Sequence, residues 1–296
     1  MSYVELHCHS CFSFREGAST PLELVLRARQ LGYPALALTD HDNLAGALEF
    51  ARTAKSWGVR PITGAEITIA NQAIGQPGHR AITQRHSRPR AREFHLTLLA
   101  ETPRGYANLS RLLTRANLNS PRGEPRVRFE WLAEHAEGLI ALSGCRKGEV
   151  AILVEEGDLR AAREAAARYR DVFGRESFFI ELQDNLAYED QPRNEGLVAL
   201  ARDLGLAVVA TNNVHYHERR RHRLHDVLVA VRHRTNLEDV RPLLRPNSEF
   251  YLKHPEEMRR LFDGLEEAIE NTLRVAARCA GAEFGQSGNR AIGQGG

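Results

Sequence analysis

Short apolar runs alternate with longer stretches of helical periodicity along most of the chain. The runs are Val4 to Cys8, Ala35 to Thr39, Pro61 to Ile69, Phe94 to Ala100, Gly138 to Ser143, Phe178 to Leu182 and Leu206 to Thr211. They have the length and near-continuous hydrophobicity of strands buried on both faces. Between them lie helical patterns. Thr20-Pro21-Leu22-Glu23 combines an N-cap, a proline at the first helical position and a capping-box Glu, and the helix it opens stops at Gly32. Leu44 to Trp57, Arg104 to Leu118, Gly148 to Phe173 with a break at Gly157, Arg193 to Leu204 and Arg219 to Arg232 continue the rhythm. Strands alternating with helices predict parallel pairing and an α/β fold.

Two regions fall outside this rhythm. Asn71 to Arg92 is rich in Gly, Pro, Gln and Arg without periodicity, which predicts a long loop or hairpin insertion at a rim, where its arginines would form a phosphate-guiding patch. Past Asn236 the pattern is helical, interrupted by a strand-like piece at Phe250 to Leu252. Helices are predicted from Pro255 and from Leu265 to Cys279. The division expected is a barrel over residues 1–235, a mainly helical extension over 236–280 and a disordered tail over 281–296.

Composition narrows the class. The chain has 296 residues, 42% hydrophobic, with a formal net charge of +2. No stretch approaches the roughly 20 apolar residues of a spanning helix, and the start lacks a signal peptide's regions, so a cytoplasmic location is expected. Four cysteines (8, 11, 145 and 279) then read as reduced thiols or metal ligands. Only three of the forty basic residues are Lys (55, 147 and 253), a bias that genome composition explains as well as phosphate binding does. The run Arg219-Arg220-Arg221 reads as a solvated helix face.

Strand after strand ends in residues able to bind metal: His7 and His9, Asp40 and His41, Cys145, then Asn213 and His215, with Glu66 inside the third run. Parallel α/β barrels gather strand C-termini at one face, where active sites sit, so a single shared site is predicted. His95 fits less well, because it stands at the beginning of its run. His7-Cys8-His9 on a strand puts both imidazoles on one face and Cys8 on the other, among apolar neighbours. Imidazole, thiolate and carboxylate together favour Zn, with Mn or Fe as alternatives. Glu66 is the candidate bridge between neighbouring ions, since its two oxygens can face different metals.

These residues carry a resemblance. His7-Cys8-His9-Ser10, Thr39-Asp40-His41-Asp42, Gly64-Ala65-Glu66 and Ala210-Thr211-Asn212-Asn213-Val214-His215-Tyr216 resemble the motifs of the PHP (polymerase and histidinol phosphatase) superfamily. Phe94 to Ala100, Glu137 to Cys145, and Glu249 to Lys253 with Pro255 to Met258 resemble segments of the N-terminal PHP domain of bacterial DNA polymerase III alpha subunits, especially the error-prone branch. The likeness spans roughly residues 3 to 275. It implies a distorted seven-stranded (β/α) barrel with up to three metal ions. His7, His9, Glu66 and Asn213 would hold the first ion; Glu66, His95 and Cys145 the second; Glu16, His41 and His215 the third. Asn213 stands where metal-competent members usually carry Asp. Asp40 would orient a ligand imidazole, and His7, His9, Glu66, His215 and Asp40 would carry the catalysis.

The cluster supports metal-assisted phosphoester hydrolysis, and the chain carries no Gly-x-Ser-x-Gly elbow, Walker A loop or dinucleotide fingerprint. Three functions follow from the resemblance: a phosphoesterase acting on single-stranded or primer-terminus DNA 3′ ends, a metal-stabilised scaffold bracing polymerase modules or replication proteins, or a free-standing small-molecule phosphatase. Polymerase activity is not expected of this chain, which ends at Gly296.

Overall fold

The computed structural model describes residues 2–14, 16–70 and 92–282. The runs become β1 (Ala35–Leu38), β2 (Arg60–Ala70), β3 (Glu93–Ala100), β5 (Leu139–Leu142), β6 (Phe178–Gln183) and β7 (Ala207–Thr211), hydrogen-bonded in that order, with a two-residue β4 (Val127–Arg128) beside β2. The seventh expected run, at the N-terminus, forms no regular ladder, yet it closes the curled sheet. Glu5 bridges to Leu36 on one side and Cys8 to Val214 on the other.

The pairing is not uniformly parallel. β3 runs antiparallel to both β2 and β5, with Thr68 opposite His95 and Thr97 opposite Leu142, while β1–β2, β5–β6 and β6–β7 are parallel. This corrects the all-parallel expectation. It also explains His95: the beginning of an antiparallel strand lies at the same barrel face as the C-terminal ends of its neighbours. The segment Asn71 to Arg92, expected as an insertion between these strands, lies outside the described residues except for Arg92, which pairs with Glu156.

The helices follow the sequence pattern closely: α1 (Pro21–Gln30), α2 (Ala47–Ser56), α3 (Pro103–Leu118), α4 (Phe129–His135), α5 (Glu149–Glu155), α6 (Leu159–Phe173), α7 (Asp190–Leu204) and α8 (His222–His233). Thr20 and Glu23 form both halves of the capping box. The Gly157 break separates α5 from α6. Only α4, too short to establish a period, was not anticipated. None of the described helices is long and apolar enough to cross a membrane.

Strand residues alternate between two cores. Leu36, Leu38, Ala65, Ile67, Leu96, Leu98, Ile180 and Val208 pack outward under the helices. Ala35, Ala37, Ile62, Leu99, Ile140, Leu142, Phe179 and Val209 fill the barrel's floor together with Val275, Ala276 and Cys279. The last three belong to α10 (Glu266–Arg278) and the turn after it, which follow α9 (Pro255–Leu261). Thus part of the segment expected as an extension is the plug of the barrel. Val4 N–H donates to Thr272 Oγ1 and Arg60 to the Ala276 carbonyl. Further up each strand the inward positions turn polar, through Thr39, Glu66, Thr97, Glu181 and Thr211, all buried.

Candidate metal centre

The N-terminal segment sets up the site through a bulge. Ala37 N–H bonds the Glu5 carbonyl and Thr39 N–H the Cys8 carbonyl, so three steps of this segment match two of β1. The extra residue lets Leu6 join the floor while His7 and His9 reach the upper interior. The His7 N–H donates instead to Glu5 Oε1 at 2.9 Å, and Glu5 Oε2 accepts from Tyr3 Oη and the Asn212 N–H. Cys8 faces the outer core, as expected. All four cysteines are free thiols, with Cys11 exposed and Cys279 buried.

Glu66 is the hub. Its Oε1 lies 3.3 Å from His7 Nε2 and 3.0 Å from His95 Nδ1; its Oε2 lies 3.7 Å from His9 Nε2 and 2.9 Å from His41 Nδ1. Among the described residues, two groups have ligand atoms close enough to share an ion: His7, His9 and Glu66, and His41, Glu66 and His95. Cys145 Sγ is 3.6 Å from His95 Nδ1, at the edge of the second group. This division differs from the one the resemblance implies, because His41 joins Glu66 and His95. Glu16 reaches to 3.7 Å from His41 but its carboxylate is also taken by Arg232. His215 sits apart with Asn213, 3.0 Å from its Oδ1, and stacks on His9.

Three of the four imidazoles around Glu66 are fixed from behind. His7 Nδ1 bonds Glu181 Oε1 at 2.6 Å, and that oxygen also accepts from Thr211 Oγ1 and Gln183 Nε2. His9 Nδ1 bonds Ser13 Oγ, which donates to Asp40 Oδ1. Asp40 therefore orients His9 through Ser13, while it also accepts from Ser10. His41 Nε2 bonds Thr68 Oγ1, which donates to Asp42. With the outer nitrogens held in this way, the inner ones face Glu66 and would offer lone pairs to a cation that displaces their protons.

Glu181 and Ser13 have no role assigned from the sequence, and Asp42 enters there only as the last residue of the Thr39–Asp42 motif. A lone Glu inside Phe178-Phe179-Ile180-Glu181-Leu182 was the available signal, since a carboxylate in a buried run needs a partner.

Charge follows geometry. Burial works against ionised Glu66, but His95, His41 and His7 outweigh it and hold the carboxyl well below its usual range. Burial likewise lowers His7, yet Glu181 and then Glu66 outweigh it and raise its pKa to about 10. His41 reaches about 10 against its burial through Asp42 and Glu66. Burial keeps His9, His95 and His215 below the usual imidazole value, and pushes the Cys145 thiol well up.

The residues fit a metal on one observation independent of any resemblance. His7 Nε2, His9 Nε2 and Glu66 Oε1 are all buried and converge, and although Glu66 Oε1 lies within ion-pair distance of His7 and His95, none of the three makes a hydrogen bond of good geometry. Buried polar atoms rarely stay unpaired. A cation would satisfy three at once.

Closed strands around a carboxylate ringed by imidazoles define a barrel with a candidate dinuclear metal centre. A family model described as the PHP domain matches residues 5–185, and the chain belongs to that family. It is 41% identical to an error-prone DNA polymerase of Symbiobacterium thermophilum, over 94% of this chain and 25% of that protein. It is 40% identical to a DNA polymerase III subunit alpha of Treponema pallidum, over 94% of this chain and 23% of that protein. The chain thus spans about a quarter of the length of these relatives. Among solved structures, a two-domain protein of Bacteroides vulgatus with a predicted PHP-like metal-dependent phosphoesterase aligns over 92% of this chain and 68% of its own, at 14% identity and a TM-score of 0.39.

Proposed function

We propose that the chain is a metal-dependent phosphoesterase domain of a DNA polymerase III alpha-type protein, acting on the 3′ end of single-stranded DNA. The convergence of three buried ligand atoms without a hydrogen bond of good geometry, His7 Nε2, His9 Nε2 and Glu66 Oε1, carries this reading. His7, His9 and Glu66 would hold one ion; His41, Glu66 and His95 a second, with Cys145 in reserve. Asn213 and His215 would complete the wall facing the substrate. Bound there, Zn or Mn would acidify a water and neutralise charge on a phosphoryl group. The chain's own part is positional: Glu181 and the Asp40–Ser13 pair lock the imidazoles, and the barrel floor excludes water from behind. Relatives named as polymerases supply the context of DNA.

The test is elemental analysis of gently purified protein, joined to hydrolysis of a 3′-labelled single strand with Zn or Mn. Two ions per chain and release of 3′ nucleotides, abolished in His9→Ala, are expected. Bound metal with equal background rates in wild type and His9→Ala would replace this reading with the scaffold.

A further inference from the structure

A cavity of about 430 Å³ opens beside the Glu66 cluster, with Glu66, His95, Cys145 and His215 among its lining residues. That is the size of a small-ligand pocket. Arg245, in the loop after the short turn Arg241–Leu243, also lines it. Its guanidinium carbon lies 4.2 Å from the centroid of the Phe250 ring, and its Nη2 donates to His215 Nε2, whose ring is fixed by an Nδ1 bond to the Glu16 carbonyl. Its Nε is buried and unpartnered.

What this cation lacks is an anion. Among the described residues no carboxylate forms an ion pair with Arg245; its immediate neighbours are the ring of Phe250 and the imidazole of His215, with His225 behind. Burial lowers its pKa to about 10 and the same charge depresses His215 and His225. Glu66, which lines the same cavity, acts on Arg245 only through space and is already held by His7, His41 and His95. A charge half withdrawn from water with no counter-ion in contact is costly, and the cost is recovered when an anion enters. Arg146 and Lys147 line the same cavity and add to its positive field. The planar guanidinium fork matches two oxygens of one phosphate.

We propose that Arg245 is the phosphate clamp of this cavity, gripping the non-bridging oxygens of a phosphodiester beside the Glu66 cluster. Phe250 supports the guanidinium from one side and His215 aims it. The proposal rests on the phosphoesterase reading for the kind of substrate, but it concerns binding alone.

Isothermal titration of metal-loaded protein with inorganic phosphate and with a thymidine dinucleotide tests it, with ion content and melting temperature recorded for each variant. Arg245→Met is expected to weaken both ligands at least tenfold while ion content and melting temperature hold, and Arg245→Lys to recover part of the loss. The dinucleotide should bind more tightly than phosphate. Equal affinity in wild type and Arg245→Met, or a loss that tracks loss of ions, overturns the clamp. Tighter binding of inorganic phosphate than of dinucleotide overturns the phosphodiester assignment. Binding through Arg245 without hydrolysis would sink the phosphoesterase reading and leave the clamp standing.

Discussion

Glu181 Oε1 lies 2.6 Å from His7 Nδ1, a buried bond across 174 positions of the chain that joins the N-terminal segment to the middle of β6. It fixes which nitrogen of His7 faces Glu66. It also keeps a negative charge behind an imidazole that faces a second carboxylate, which strengthens the imidazole as a donor to any cation in front.

Glu181→Gln therefore weakens metal binding without abolishing the fold. The loss expected is about 10- to 100-fold in affinity for the ion at His7 and His9. Competition with a chromophoric chelator measures it. An unchanged affinity would remove Glu181 from the site.

The pH dependence has a defined sign. In ion-free protein His7 and His41 have pKa values of about 10, raised from 6.5. Their charged pairs with Glu181, Asp42 and Glu66 stabilise the fold fully below pH 6.5, and that contribution is lost as pH rises through about 10. Metal ions compete with the same protons, so added Zn or Mn gains affinity over that window. Chelator-treated protein should melt at progressively lower temperature as pH rises above 6.5, while the increment given by metal grows. Melting curves at matched ionic strength decide; an increment that shrinks with pH would take both histidines out of the ligand set.

Glu5 supports the bulge that delivers His7. Burial raises its pKa to about 7, and its carboxylate accepts from the His7 and Asn212 N–H groups and Tyr3 Oη. Glu5→Ala leaves the His7 and Asn212 N–H groups unpaired, at roughly 1–3 kcal/mol each, while Tyr3 Oη keeps its longer bond to the Ala210 carbonyl. Chemical denaturation should show a loss of about 2 kcal/mol or more, with weaker metal binding beside it. A loss below about 1 kcal/mol would mean that the bulge does not depend on this carboxylate.

Asn213 has φ of 46°, in the left-handed region that Asn and Asp both tolerate. Asn213→Asp is thus a change of charge with little backbone cost. It adds an anion beside His215 and Arg245 and should raise metal affinity or hydrolysis rate about tenfold, about the effect of 1.4 kcal/mol. Equal affinity and rate in both forms would show that this position no longer serves the site.

Much of this was legible in the chain itself. The apolar runs fixed where strands lie because residues buried on both faces leave a continuous hydrophobic signature, and Thr20, Glu23 and Gly157 marked helix limits by local hydrogen bonding and backbone freedom. The His7-x-His9 spacing put two imidazoles on one face for the same local reason. Tertiary structure alone decided the direction of β3, which turned His95 from a misfit into a neighbour of Glu66 at 3.0 Å. It alone set the bulge at Leu6 and His7, the bond from Glu181 and the position of Arg245 against His215. Periodicity records how each residue is buried relative to its own element. It holds no record of which distant element completes a buried charge, and those pairings determine this site.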